Sequence, residues 1–552
     1  MPESTRVIDT ASGPVKGFRD TFPLQDKSPA DEILDEGKDG GEDGVWKWLG
    51  VPYGRAERWK RVTAPEPWTE PRDCFEFGTK FPQPVGHSEK LYGHQPGFFA
   101  RSWSQDSEDS FTVNVFAPEN VKATDKLPVM FWIYGGSLNN GSACRFLYDP
   151  TEMTRASAKD GQPVIVVTGN YRTNIFGFFS GPDVFAADEE GLCGNYGLRD
   201  CVAMLEWTKA NIGRFGGDAE NVTIFGESAG GFLVSTLLVS GKKLFKRAIM
   251  QSGAAGTMRI KPVETAYPGY SEVFKLHGPS AATAEARINA LRQVPWQELL
   301  ETHIKSFGWG GLSLTLETGP NAIWNEDTVE KLEQGRWDPW IESVILGTTE
   351  DEGSLFAFGM QLNSPKGFEG YLKFLPSNIH DDIRAQYLPP GGHPEQVSII
   401  DAPAAKVIAD SLFVDPTYDQ AVSLSKGDKC RVYLYRCRAI VDQMSKGALE
   451  TGAMHTIEIP LVFNISSLWN RDPNVHEAKS SRVFRSAWTS FAATGQPSSD
   501  WKPFTEQEPT WFAVANGGVV ANESLKGVAE KMLDWEGKGR KRSRNILSAV
   551  NE

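Results

Sequence analysis

Two different periods of apolar and polar residues run along this chain, and the change from one to the other predicts its elements. Short apolar runs at 127–134 and 164–167, and the β-like run at 222–225, are rich in β-branched and aromatic residues and have the length of buried strands. Between the last two, Leu198, Val202 and Leu205 recur at i, i+4 and i+7 within 198–211, the spacing of one helical face. Further strands are expected at 344–346 and 432–435. Strands alternating with helices predict crossover connections, hence an α/β fold with a large, mostly parallel sheet covered by helices. No internal repeat or long linker divides the chain, so one domain over 1–552 is expected, carrying insertions. The segment 26–43, rich in Asp, Glu, Lys and Gly, reads as a solvated surface insertion between two early strands. The end of the chain, with the run Lys538-Gly539-Arg540-Lys541-Arg542-Ser543-Arg544, reads as an exposed basic tail.

Composition narrows the class of partner. With 552 residues, 40% of them apolar, the chain can bury a large core. A net charge of -14 argues against nucleic acid as a partner, because neutralising phosphates needs a basic face. No apolar run approaches the roughly 18 residues needed to span a bilayer. The start Met1-Pro2-Glu3-Ser4-Thr5-Arg6 lacks the pattern of a secretory leader, which points to the cytoplasm. Six cysteines without a CxxC pair are expected to be reduced core side chains rather than disulfides or zinc ligands. The chain carries no sequence signal for an oligomeric state.

The chemistry begins at Gly226-Glu227-Ser228-Ala229-Gly230, a G-x-S-x-G pattern that is weak alone in a chain with 54 glycines. Its context strengthens it: a strand-like run feeds it, and Phe232-Leu233-Val234 and Leu237-Leu238 follow as a helix expected to last until Gly241. A strand, a sharp turn and a helix would lift Ser228 above the sheet edge, with free N–H groups of the helix start beside it. A serine hydroxyl needs a base near neutral pH, and histidine suits that task. If the order along the chain is nucleophile, acid, base, the candidates are His380, His393, His455 and His476. His455 stands in a small-residue turn leading into an apolar stretch, whereas the others are expected in polar or Pro-rich loops. The acid that orients the base is expected in Glu350-Asp351-Glu352-Gly353, just after a strand, where spacing alone leaves the choice open. Tyr134-Gly135-Gly136-Ser137, after another strand, offers backbone N–H groups for an oxyanion.

With these residues in hand, the chain resembles the type-B carboxylesterase and lipase family, which includes cholinesterases. Gly50-Val51-Pro52-Tyr53 is similar to the family's GIPYA element, and Ser107-Glu108-Asp109-Ser110-Phe111 with Asn114-Val115 to its SEDCLYLNV signature. Asn195-Tyr196-Gly197-Leu198-Arg199-Asp200, Phe215-Gly216-Gly217-Asp218, the elbow itself, Ala248-Ile249-Met250-Gln251-Ser252-Gly253 and Trp488-Thr489-Ser490-Phe491-Ala492 also fit. The resemblance runs from about Val45 to Phe512. It implies an α/β-hydrolase fold and a serine carboxylic-ester hydrolase. Ser228 would be the nucleophile, His455 the base and Glu352 the acid, by alignment of the family's DEGS motif with 351–354.

The resemblance further implies that the N–H groups of Gly136, Ser137 and Ala229 form the oxyanion hole, with Ser137 in place of the family's third glycine. Glu227 and Ser252 would stand just behind the reacting groups, Ser252 near Glu352. Leu355 and Phe356 would wall the acyl pocket, favouring a neutral, mainly apolar ester. The family's first disulfide would join the positions held here by Phe81 and Ser110, so its loss fits a reducing compartment. Trp103, the one tryptophan between these two positions, is displaced from the family's choline-binding position, which counts against choline esters. The expected partners are a small ester and water, with no metal or cofactor required. The same triad would serve a lipase, lactonase or amidase, and the rival of another class is a non-catalytic, neuroligin-like binding protein.

Overall fold

In the computed structural model, residues 4–20, 44–86, 106–258, 260–264, 270–278, 282–307, 312–373, 375, 377–395, 397–445 and 452–525 are described. The acidic insertion, Trp103 and the basic tail lie outside these residues.

Strands from both ends of the described chain enter one 13-stranded sheet. In chain order they are β1 (Thr5–Asp9), β2 (Pro14–Asp20), β3 (Val45–Pro52), β4 (Arg72–Asp73), β5 (Thr112–Pro118), β6 (Leu127–Ile133), β7 (Ile165–Gly169), β8 (Gly217–Glu227), β9 (Arg247–Gln251), β10 (Ser343–Thr349), β11 (Arg431–Cys437), β12 (Thr510–Val514) and β13 (Val520–Ser524). The spatial order is β1-β2-β3-β5-β7-β6-β8-β9-β10-β11-β12-β13, with β4 beside β2. The seven strands from β7 to β12 pair parallel, while β1, β2, β3 and β5 at one side and β13 at the other pair antiparallel, apart from the short parallel pairing of β4 with β2. This is the α/β-hydrolase architecture.

Burial explains the apolar runs. Parallel strands joined by crossover helices are covered on both faces, so Val129 to Tyr134 and Val222 to Phe225 are all buried with no polar face to show. The helix expected at 198–211 spans Tyr196–Asn211 (α1) and is buried on most of its circumference. One consequence is an ion pair deep in the fold. Arg172, just after β7, grips Asp200 of α1 through Nε and an Nη at 2.8 and 2.7 Å, and its own N–H donates to the same carboxylate at 3.1 Å. Side chains of both are almost wholly excluded from solvent.

Two expectations are corrected. The helix after Ser228 spans Ala229–Leu237 (α2) and does not reach Gly241. Bonds from Leu238, Val239 and Ser240 to the carbonyls three residues earlier tighten its last turn, and Gly241, with φ of 69°, sends its N–H to Asp338 instead. His380 and His476 are not in loops: they head the helices His380–Tyr387 and His476–Thr494.

The approach of α2 to β6 depends on Gly230. A methyl group there would fall 2.1 Å from Ile133 O and 2.8 Å from Tyr134 C, both main-chain atoms of the sheet that cannot swing aside. Gly230→Ala is therefore expected to lose about 2 to 3 kcal/mol of stability, read as a lowered urea midpoint. An unchanged midpoint would mean that α2 can slide.

Candidate active site

Three turns at the carboxyl edge of the sheet supply the candidate residues. The first follows β8, where Ser228 sits between strand and α2 with φ 57° and ψ -126°, a conformation that a side-chain-bearing residue rarely adopts. Main-chain bonds hold it there: Ser228 N–H donates to Gln251 O at 2.8 Å, and Phe232 N–H to Ser228 O at 3.0 Å. Strain of this kind persists only where the surroundings over-determine it, and it is common at reacting groups.

The second turn follows β10. Of its three adjacent acids, Glu350 faces Arg436 and Arg438 at 3.0 and 3.1 Å, and these cations hold its carboxyl below the usual range against the opposing effect of burial. Asp351 caps the next turn by accepting from Ser354 N–H at 3.1 Å. Glu352 alone turns into the interior and is wholly buried. Its Oε1 accepts from Thr349 N–H at 2.6 Å and Ser252 Oγ at 2.7 Å, and its Oε2 meets His455 Nδ1 at 2.5 Å. Of the three acids, Glu352 is the one whose carboxylate reaches His455.

His455 lies on the third turn, which comes later in the chain than β11 and the short helix Asp442–Ser445 and is zipped to the second turn by main chain. Asp351 N–H donates to Ala453 O and His455 N–H to Asp351 O, each at 2.9 Å. The imidazole is almost wholly buried, with Phe413 and Phe356 ring centroids at 4.7 and 5.2 Å. With Nδ1 on Glu352, the other nitrogen is turned toward the elbow, and Nε2 lies 3.1 Å from Glu227 Oε1. Among the described residues, Ser228 Oγ makes no hydrogen bond, so the serine and imidazole are not joined in this state. Contacts of this kind are often open without substrate and close in the reacting complex.

Electrostatics favour a charged imidazole. Burial pulls the His455 pKa down, but the carboxylates of Glu227, Glu352 and Glu458 outweigh it and raise the pKa above the ordinary histidine range. Burial in turn raises the Glu227 carboxyl, with His455 opposing. Glu458, three residues after His455, is fully buried and is linked through Gln251 Nε2 at 3.3 Å to Trp488, whose Nε1 donates to Gln251 Oε1 at 3.0 Å. Replacing Glu227 by glutamine removes one negative charge beside Nε2. The ring should then lose its proton at lower pH, and the acid limb of the kcat/KM profile should move down by about one unit. A limb that stays in place would show that Glu227 does not act on the imidazole.

The turn after β6 faces the elbow. A methyl group on Gly135 would fall 2.3 Å from Glu227 O and 2.9 Å from Ser228 Cβ, so only glycine lets this backbone pass. Gly136 has φ of 111° and Ser137 of 57°. Among the described residues none accepts a hydrogen bond from the N–H groups of Gly136, Ser137 or Ala229. Leu355 is buried and Phe356 half-buried at the start of helix Ser354–Gly359. Sequence reasoning missed Phe413 and Glu458. The first comes from a π-helical turn, Asp410–Val414, that no local pattern announces, while the i, i+3 spacing of Glu458 from His455 was a usable signal.

For metals, Asp442, His476 and Glu477 form the one group of three candidate ligands gathered within 4.8 Å among the described residues. His476 already pairs with both carboxylates, at 3.2 and 3.5 Å.

Known proteins place this geometry in context. The family model described as "Carboxylesterase family" matches residues 35–530. The chain is 30% identical to para-nitrobenzyl esterase of Bacillus subtilis over 90% of its own length and 96% of that protein's. It is also 30% identical to phenmedipham hydrolase of Pseudarthrobacter oxydans, over 88% and 94% of the two chains. A solved para-nitrobenzyl esterase structure superposes with a TM-score of 0.74 at 27% identity, covering 96% of this chain and 99% of that one. Agreement of this extent, in sequence and in fold alike, makes the chain a member of the carboxylesterase family and a hydrolase of carboxylic esters.

Proposed function

We propose that Ser228, His455 and Glu352 form the catalytic triad of this esterase, working through an acyl-enzyme. The observation that carries the reading is the 2.5 Å contact between His455 Nδ1 and buried Glu352, set beside a serine on a strained strand-to-helix elbow. Once the imidazole has given up its Nε2 proton it pivots on Glu352, so that Nε2 leaves Glu227 and accepts the Ser228 proton as Oγ bonds to the ester carbonyl carbon. The electron pair of the carbonyl moves to oxygen, where the N–H groups of Gly136, Ser137 and Ala229 receive it. Collapse breaks the bond to the alcohol, which takes the proton from Nε2. Water then gives a proton to Nε2 and bonds to the acyl carbon, and the acyl–Oγ bond breaks as Nε2 returns that proton to Oγ, which frees the acid and restores Ser228.

A neutral ester with an apolar acyl group suits the site, because Leu355, Phe356 and Phe413 offer hydrocarbon and the nearby charges are carboxylates. Para-nitrobenzyl esters, named for the bacterial relative, are a reasonable first substrate. A reducing compartment such as the cytoplasm is inferred from the cysteines. All six are free and buried, and the two positions of the family's first disulfide are otherwise employed. Phe81 packs edge-on against Phe111 at 5.0 Å, and Ser110 Oγ is 2.8 Å from Thr79 Oγ1. Among the described residues no helix is long and apolar enough to cross a membrane.

A fluorophosphonate probe, which is attacked only by an activated serine, tests the assignment. It is expected to label the wild-type protein and not Ser228→Ala. A folded wild type that takes no label would favour the non-catalytic reading.

A further inference from the structure

The turn after β6 is held in a disfavoured conformation. Ser137 and Leu138 both have φ of 57°, the left-handed region that side chains oppose. Consecutive residues of this kind persist only where neighbours fix them from several directions. Within the turn, Asn139 and Asn140 N–H groups both donate to Gly136 O, at 2.9 and 3.1 Å. From one side, Asn174 donates its backbone N–H to Leu138 O at 2.6 Å and its amide to Asn139 O at 3.1 Å. From the helix Trp296–Phe307, His303 places Nε2 2.5 Å from Asn139 Oδ1.

His303 takes no part in the proposed chemistry, yet it is completely buried. It packs on Phe307 with ring centroids 5.4 Å apart, and burial pushes its pKa down to about 4, which keeps the ring neutral. Its Nδ1 is buried without a hydrogen-bond partner, so the single ring proton belongs on Nε2, where it is donated to Asn139. A hydrocarbon would fill this space without leaving a bare nitrogen. The one polar contact that distinguishes histidine here is the one to the turn.

We propose that His303 is a positioning residue which, through Asn139, fixes the direction of the Gly136 and Ser137 N–H groups that receive the oxyanion. The proposal rests on the esterase reading above, since it gives His303 a task only if an oxyanion forms at that turn.

The test compares His303→Leu, His303→Gln and Asn139→Ala on a p-nitrophenyl ester, with thermal midpoints recorded. Loss of the bond is expected to lower kcat by about ten- to a hundredfold while KM stays within about threefold, because the oxyanion exists only beyond the ground state. Inhibition by a trifluoromethyl ketone, which forms an oxyanion on the serine, is expected to weaken by the same factor as kcat/KM. His303→Gln, whose amide N–H can reach the same oxygen, is expected to recover most of the loss. A kcat within about twofold of wild type in His303→Leu and Asn139→Ala overturns the proposal. So does an equal loss in the Leu and Gln variants accompanied by a matching rise in KM. Should His303→Leu fail to fold, Asn139→Ala decides alone. An inactive wild type overturns the esterase reading and this proposal with it, whereas an active wild type with unaffected variants overturns the proposal alone.

Discussion

Ser228→Ala is expected to fold normally and to lose about 10³- to 10⁶-fold of its ester turnover. The elbow is fixed by main-chain bonds to Gln251 and from Phe232, which alanine retains. The serine hydroxyl makes no hydrogen bond to a described residue, so removing it leaves no buried partner unsatisfied and the thermal midpoint should hardly change. What disappears is the atom that bonds to the acyl carbon. The residue of activity should reflect water attacking an ester held by the oxyanion donors alone. Hydrolysis of a p-nitrophenyl ester measures the loss and a thermal melt the midpoint, and wild-type rates in this variant would refute the assignment of the nucleophile.

Asp200→Ala is expected to have the largest effect on stability, about 3 to 5 kcal/mol, because it strands the buried Arg172 guanidinium. Arg172 donates to Asp200 from Nε, Nη and its backbone, and its remaining Nη reaches Lys60 O at 2.9 Å. The cost measures the unpaired cation more than the worth of the pair. Replacing both partners by leucine should therefore cost much less than the single change. Urea unfolding of the three proteins checks this, and a double variant as unstable as Asp200→Ala would show that shape rather than charge decides.

The central strands were legible because burial on both faces removes the polar half of the pattern and leaves runs such as 129–134. The elbow was legible because strand, turn and helix each carry their own signal. Spacing alone left the acid open, since three adjacent carboxylates look alike, and it was the likeness of 351–354 to the family's DEGS motif that pointed to Glu352. Only the bending of the chain after β10 sends Glu350 to two arginines and Glu352 inward. His303 escaped for a related reason: the order of nucleophile, acid and base removed it from the search, and its partner lies 164 residues away. Phe413 depends on an extra residue in a helical turn, a feature set by packing and not by local preference. The end of α2 was misjudged because Gly241 looked like the stop, whereas the chain had already tightened at Leu237.

The zipper between the turns of Asp351 and His455 is made of main-chain groups, so it is indifferent to which side chains stand there. The proposed acid and base consequently sit on two turns tied to each other by main chain, the first of them directly after β10. In the proposed mechanism the distance left to adjust is the step from these two turns to the elbow, and it is there that a bound ester would do its aligning.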